Sequence, residues 1–221
     1  MSVYQVLVVV HVVLFAYWLG ADWGVFVLSR YVANPRLSLE ERRRFLQAAF
    51  GIDLMPRIAF TLLLPIGLQL ASFYGAWEPR GPFMLAVWIG ALGWLTLNVL
   101  SYKHAGSARG DRLRGIDQRI RLVLAPTLIA AGVWSLAMGG PVHQTFIAAK
   151  LLVFGLMIVV GLALRAIMRN WAVGFKRLAN EGPSAEVDSL FTVSLARARW
   201  VAYLMWSLSG VMAVLGVARF A

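Results

Sequence analysis

The chain has 221 residues, of which 60% are hydrophobic and 14% are charged, and its formal net charge is +11. A water-soluble domain needs polar side chains over its outer faces, and a disordered chain needs low hydrophobicity, so this composition excludes both classes. The chain contains no cysteine, which excludes disulfides, thiolate metal sites and iron–sulfur clusters within it. These properties predict an integral membrane protein.

Six apolar segments follow one another along the chain, and each is long enough to cross the roughly 30 Å of hydrocarbon in a bilayer. They cover residues 3–28, 58–74, 83–102, 122–138, 146–167 and 200–218. The sequence therefore predicts an all-α integral membrane protein, with residues 1–221 forming a single domain. The expected architecture is a bundle of about six transmembrane helices embedded in the lipid bilayer.

Basic residues are distributed unevenly around these segments. Six lie in each of the stretches that follow the first, third and fifth segments, whereas Arg80 and Arg219 lie on the opposite side and Lys150 lies inside a segment. The positive-inside rule places the basic stretches in the cytoplasm and both termini on the outer side. The positive charge is thus a sign of membrane orientation and of attraction to anionic lipids, and we expect no nucleic-acid partner.

Two of the basic stretches carry helix-start signals. Ser38, followed three residues later by Glu41, forms a capping-box pattern and predicts a short helix that runs through Phe50 at the inner interface. Ser184 follows a Gly-Pro pair and predicts the start of a second such helix, which passes through Phe191 into the last segment. The cytoplasmic loops are therefore expected to contain short interfacial helices.

The first segment carries two ionisable residues, His11 and Asp22, on one predicted helix face. Eleven steps of about 100° bring Asp22 to within about 20° of the direction of His11, and Trp18 shares that face. About 16 Å separates the two along the axis, so they cannot pair directly. Because ionisable groups in a membrane face a partner or a cavity, this face is predicted to look into the bundle. The step from Gly20 to Gly24 predicts a close helix approach near Asp22.

Each ionisable residue has a structural and a functional interpretation. His11 either hydrogen-bonds a neighbouring helix or, as a neutral imidazole, is a ligand for heme iron or copper. Lys150 either extends its amine to the outer interface or, following two alanines, holds it within the bundle. His143 in an outer loop is either solvated or a second ligand. Asp22 either forms an ion pair on the inner side or is a step in a proton path. The basic partners considered for Asp22 are Arg57, Lys103 and Arg165.

Parts of the sequence resemble the CopD-like and HemJ-like membrane proteins. The stretch His11-Val-Val-Leu-Phe-Ala-Tyr-Trp18-Leu-Gly20 resembles their first helix, in which a histidine precedes Trp and then Gly. Ala149-Lys150-Leu-Leu-Val-Phe resembles the Lys-Leu helix shared by the two groups, and the residues from Ser194 to Arg197 resemble the entry to the last CopD helix. The resemblance covers the first and last thirds of the chain.

The HemJ-type resemblance implies a heme-b-binding membrane oxidoreductase of the bacterial inner membrane, related to protoporphyrinogen oxidation. His11 and Lys150 occupy the positions of that family's essential His and Lys. The CopD-type resemblance implies copper movement across the membrane. Copper(I) prefers thiolate and thioether ligands, and the eight methionines form no closely spaced ladder, although Met205 and Met212 share a helix face.

The sequence leaves three functions open. The first is a membrane redox protein that holds heme b in the outer half, with His11 as axial ligand and Lys150 or His143 opposite, supplied by an electron-transfer partner. The second is a non-enzymatic subunit that assembles with other membrane subunits. The third is CopD-type copper transport, with His11 as metal ligand. The sequence contains no phosphate-binding loop, catalytic triad or HExxH motif, so catalytic residues remain unassigned.

Overall fold

The computed structural model describes residues 1–75 and 81–218, so Arg80 and Arg219 lie outside the described residues. These ranges contain six helices and no strand. The helices are α1 (Val3–Val32), α2 (Leu39–Ser72), α3 (Gly81–Lys103), α4 (Ala108–Met138), α5 (Thr145–Glu181) and α6 (Ala185–Ala218). All six are long and apolar enough to cross a membrane. The prediction of an all-α, multi-pass membrane bundle is confirmed.

Four helices extend far beyond their apolar segments, and all four long extensions lie at the same end of the bundle. They cover residues 39–57, 108–121, 168–181 and 185–199. Hydropathy detects only the part of a helix that lies in hydrocarbon, whereas backbone hydrogen bonding continues the helix into polar sequence. We call this end, which carries the arginine-rich extensions, the basic end. The opposite end, where α1 begins and α6 ends, is the terminal end.

The helix starts at the basic end follow the predicted caps. Ser38 and Glu41 form the reciprocal capping box, with the Ser38 backbone N–H donating to the Glu41 carboxylate at 2.8 Å. Ser184 Oγ accepts from the Val187 N–H at 3.3 Å. The prediction that the helix at Ser184 runs through Phe191 into the last segment is confirmed by α6, whereas the helix at Ser38, predicted to be short, continues without a break into α2. Pro56 lies within α2. Proline lacks a backbone N–H, and packing in the bundle tolerates the loss of that helical hydrogen bond.

The helices pack as two groups. α1 packs extensively on α2, and α5 packs extensively on both α4 and α6, whereas α1 meets α6 and α2 meets α5 over few residues. The larger cluster of buried apolar side chains is contributed mainly by α1, α2, α4 and α5, and a second cluster lies at the basic end. The sparse contact between the two groups leaves space between α1, α2, α5 and α6.

Close helix approach occurs between α4 and α5. A methyl group at Gly155 would lie 2.7 Å from Ile129 Cγ1 and 2.9 Å from the Ala125 carbonyl oxygen, so only glycine fits there. The predicted approach along the Gly20–Gly24 step is wrong for Gly20, where an added methyl group would meet no atom within 4 Å, and Gly24 makes only an ordinary contact with α2. The glycine spacing identified a surface that is not used for close packing.

Arg42 connects α2 to the α1–α2 loop and to α6 at the basic end. Its side chain is only 1% exposed, and one guanidinium nitrogen donates to Asp188 of α6 at 2.7 Å. Nε donates to the Asn34 carbonyl at 2.9 Å, and the guanidinium lies 4.8 Å from the centre of the Phe191 ring. One side chain of α2 therefore satisfies groups from the α1–α2 loop and from α6, which explains why the polar extensions form an ordered cluster.

Candidate functional site

A cavity of about 430 Å³ lies in the terminal half of the bundle, in the space between α1, α2, α5 and α6. Small-molecule and cofactor sites typically measure about 300–1,000 Å³ and have mostly apolar walls with a few polar groups. This cavity has that character. Its aromatic lining residues are Tyr4, Phe15, Trp18, Phe60, Tyr74, Phe146 and Phe154.

His11 of α1 lines the cavity and faces α2. A methyl group at Gly67 of α2 would lie 3.4 Å from His11 Cε1, so the small residue leaves room for the imidazole. Nδ1 is fully buried and has no hydrogen-bond partner in the part of the chain that the structure describes. The prediction that this face of α1 looks into the bundle is confirmed, and the interpretation of His11 as a hydrogen-bonded structural residue finds no partner at that nitrogen within residues 1–75 and 81–218.

Lys150 of α5 lines the same cavity. A methyl group at Gly216 of α6 would lie only 3.1 Å from its Nζ, so the amine lies against α6. Of the two interpretations of Lys150, the structure shows the one in which the side chain packs within the bundle. The cavity therefore brings together the imidazole of His11 and the amine of Lys150, from opposite groups of helices.

His143 is not part of this arrangement. It is exposed in the connection between α4 and α5, and it is not among the residues that line the cavity. Of the three candidate ligands, the structure brings His11 and Lys150 together and leaves His143 apart.

Aromatic side chains from three helices meet at the terminal end of the cavity. The hydroxyls of Tyr4 and Tyr74 lie 2.6 Å apart, and the Tyr74 ring meets Phe146 edge to face at 5.7 Å. Gln144 donates to the Tyr74 carbonyl at 3.3 Å, which ties the start of α5 to the end of α2. These contacts join the two groups of helices at the point where the cavity approaches the surface.

The opposite end of the cavity is closed by the rings of Phe60, Phe154 and Trp18, which we call the aromatic floor. The rings of Phe60 and Phe154 stack at 4.5 Å, and Trp18 lies against Phe60 at 5.8 Å. Arg121 of α4 lies on Phe60, with its guanidinium carbon 5.9 Å from the ring centre. The floor therefore separates the cavity from buried charge in the basic half.

That buried charge centres on Asp117 of α4, which is 2% exposed. It accepts from the indole N–H of Trp94 at 2.6 Å and from Arg121 Nε at 3.2 Å, and it pairs with Arg165 of α5. The Arg121 guanidinium also lies 4.9 Å from the centre of the Trp94 ring. One carboxylate thus links α3, α4 and α5 and compensates two guanidinium groups.

A second polar connection lies beside this cluster. The Asn98 amide of α3 donates to Thr61 Oγ1 of α2 at 3.2 Å and to the Trp94 carbonyl at 3.1 Å. Thr61 in turn donates to the Arg57 carbonyl at 2.8 Å, and Arg57 pairs with Asp53 one turn away. The polar groups of these two neighbouring clusters therefore satisfy one another across α2, α3, α4 and α5.

Asp22 does not form an ion pair with the basic residues considered for it. Within the part of the chain that the structure describes, its carboxylate accepts from the indole N–H of Trp206 of α6 at 2.9 Å, and Arg57 and Arg165 pair with other carboxylates. Asp22 is therefore held by α6, on the face that the helical periodicity predicts.

The sequence analysis did not identify Asp53 and Asp117 as members of these polar clusters, although the spacing of each to an arginine is a local signal. Asp53 and Asp117 each precede an arginine by four positions, which is the spacing of neighbours on one helix face. Both lie outside the apolar segments, so hydropathy gives no reason to expect them inside the bundle. No local signal reveals that Trp94 and Arg165 converge on Asp117, because those contacts join different helices.

Thioethers are also present in the cavity. Met157 and Met212 line it together with His11, whereas Met205, which shares a helix face with Met212, is not among the lining residues. No group of three or more His, Cys, Asp or Glu side chains suited to a metal ion occurs within the described ranges. Besides the phenols of Tyr4 and Tyr74, the possible ligand groups that share the cavity with His11 include an amine and two thioethers.

Comparison of the chain with family models, with curated proteins and with solved structures finds no match. The fold and the cavity therefore define the class: a multi-pass α-helical membrane protein with an aromatic cavity that carries an imidazole and an amine.

Proposed function

We propose that this chain is a membrane redox protein that binds heme b in the cavity, with His11 as axial ligand. The observation that carries the proposal is the imidazole of His11, which lines a cavity of cofactor size while its buried Nδ1 has no hydrogen-bond partner among the described residues. An unpaired buried polar group costs free energy, and in a cavity a ligand that accepts or coordinates such a group offsets that cost.

The walls of the cavity support the same proposal. A porphyrin is flat and largely apolar, and the stacked Phe60 and Phe154 rings together with Trp18 offer an apolar, aromatic surface. Imidazole is an established axial ligand of heme iron. A bound heme would supply one-electron transfer, while the chain would hold it, exclude water and set its environment through these residues.

Lys150 provides the cationic group of the site. Its amine lies in the same cavity as His11, on the opposite group of helices. It would either ligate the heme iron or pair with a heme propionate. Because a guanidinium keeps the charge but does not ligate iron, Lys150→Arg separates these roles: it preserves the spectrum in the second case and changes the spin state in the first.

We also propose that the protein lies in the bacterial inner membrane with its basic end in the cytoplasm. The support is the placement of six Lys and Arg residues in each of three stretches at that end. The cavity then lies in the periplasmic half of the membrane.

The decisive experiment is the absorption spectrum of the detergent-purified protein, oxidised and reduced with dithionite. The expected result is a Soret band that His11→Ala abolishes. His143→Ala is the matched control, since it removes an exposed imidazole outside the cavity and leaves the band unchanged. A Soret band of full intensity in His11→Ala contradicts the proposed ligand. A colourless wild-type protein with a co-purifying membrane subunit favours an assembly role.

Copper(I) binding is a second candidate, because Met157 and Met212 place two thioethers in the cavity that contains His11. In that case the purified protein has no Soret band and retains copper, and both His11→Ala and Met212→Leu lower the copper content. Met205→Leu is the control, since Met205 lies on the same helix as Met212 but is not among the residues that line the cavity.

A further inference from the structure

A second cavity, also of about 430 Å³, lies at the basic end, between the last turn of α1 and the first half of α6. Its walls are more polar than those of the cavity at His11, which are mostly apolar. The side chains of Arg30, Tyr31, Asn34, Thr192 and Arg199 contribute to it. We call it the arginine pocket.

The arginine pocket contains uncompensated positive charge. Many arginines of the basic end are neutralised by a carboxylate within 4.0 Å, as Arg42 is by Asp188. Arg30 and Arg199 form no ion pair with any described residue, and no acidic residue lines the pocket. Arg199 Nε is fully buried and has no hydrogen-bond partner in the described ranges, so a guanidinium donor at the pocket lacks an acceptor there.

The position of the pocket along the membrane normal indicates where its ligand would come from. Arg30 follows the apolar part of α1 by two residues, and Arg199 directly precedes the apolar part of α6. Trp200 is 76% exposed beside it, and Tyr31 is exposed as well. Exposed Trp and Tyr residues mark the level of the lipid headgroups. The pocket therefore lies at the membrane interface.

We propose that the arginine pocket binds the phosphate group of an anionic phospholipid in the leaflet at the basic end. Guanidinium groups bind phosphate oxygens through paired, charge-assisted hydrogen bonds, and basic pockets between transmembrane helices recognise lipid headgroups in this way. The exposed apolar side chains of Tyr203 and Leu204, one turn further into the membrane on α6, offer a surface for the acyl chains. This surface favours a lipid over free phosphate.

The test measures binding of phosphatidylglycerol to the purified full-length protein by native mass spectrometry, with phosphatidylcholine as the neutral lipid. The variant Arg30→Gln/Arg199→Gln is expected to lose selectivity for the anionic lipid. At about 1 kcal/mol per basic residue near a membrane surface, the loss is about fivefold for each arginine. Arg109→Gln/Arg112→Gln is the matched control, because it removes the same charge from exposed positions of α4.

Two further measurements decide the nature of the site. Arg199→Lys keeps the charge but removes the planar fork, and we expect it to retain only part of the selectivity. Inorganic phosphate added alone is expected not to compete with phosphatidylglycerol, and full competition overturns the lipid proposal in favour of a free-phosphate site. An equal loss of selectivity in the control variant, or unchanged selectivity in the double variant, also overturns it.

Discussion

The cluster at Asp117 in the basic half and the cavity at His11 in the terminal half treat their buried polar groups in opposite ways. In the cluster, Asp117 compensates Arg121 and Arg165, and the neighbouring Asn98 is hydrogen-bonded on two sides. In the cavity, the buried Nδ1 of His11 has no hydrogen-bond partner among the described residues, and the surrounding walls enclose space instead of a filled core.

This difference distinguishes buried polar side chains that stabilise the fold from those that are available to a ligand. A buried charge that is paired and hydrogen-bonded holds helices in place, and its removal costs stability. A buried polar group without a partner contributes no such stability, so its retention requires another reason. The heme proposed for the cavity around His11 would supply that reason, because the cavity offers the space and the apolar surface that a cofactor needs.

The largest effect is expected from Asp117→Ala. The substitution leaves Arg121 buried without a carboxylate, and breaking a buried pair in this way costs about 3–5 kcal/mol. Unfolding of the purified protein in detergent, followed by circular dichroism, measures the loss. Asp111→Ala breaks an exposed pair with Arg114 and should change stability little. Equal effects of the two substitutions would show that the cluster at Asp117 is not structural.

The next effect tests the close approach of α4 and α5. Gly155→Ala places a methyl group 2.7 Å from Ile129 and 2.9 Å from a backbone oxygen, and overpacking of this kind costs about 1–3 kcal/mol. Gly93→Ala is the control, because its methyl group meets no atom within 4 Å. The same unfolding assay compares them. Similar stability of the two variants contradicts the helix packing described above.

The comparison of the two regions predicts that two substitutions to leucine change the free energy of unfolding in opposite directions. His11→Leu removes an unsatisfied polar group and should stabilise the cofactor-free protein by about 1 kcal/mol while abolishing cofactor binding. Asn98→Leu removes a satisfied group and leaves Thr61 Oγ1 without its donor, so it should destabilise by about 1–3 kcal/mol. Destabilisation by both, in protein freed of cofactor, would remove the distinction between the halves.

The smallest effect is expected at Asp22. Asp22→Asn keeps an oxygen that accepts the Trp206 indole N–H, so the free energy of unfolding should change by less than about 1 kcal/mol. Trp206→Phe removes the donor and should cost more. Unfolding followed by circular dichroism tests both variants. A severe loss of stability in Asp22→Asn alone would show that the negative charge itself is needed.

The sequence predicted the elements that hydrophobicity and helical period control. Six apolar segments led to six helices, and the spacing of His11 and Trp18 correctly placed both on the face directed into the bundle. The capping box at Ser38 was also correct. Each of these depends on residues close together in the chain.

The sequence could not predict what depends on contacts between distant helices. The helical extensions at the basic end are stabilised by pairs such as Arg42 with Asp188, which are 146 positions apart. The cavity exists because α1 and α2 meet α5 and α6 only sparsely, and no local pattern encodes that gap. For the same reason, the orientation of Lys150 could not be chosen before its contact with α6 was seen.

A hemin titration of cofactor-free protein in detergent tests most directly whether the cavity at His11 is a heme site. We predict that hemin binding saturates at a single equivalent per chain, with a Soret shift that is present in His143→Ala and absent in His11→Ala. Saturable binding with the same Soret shift in wild-type protein and in His11→Ala would contradict it.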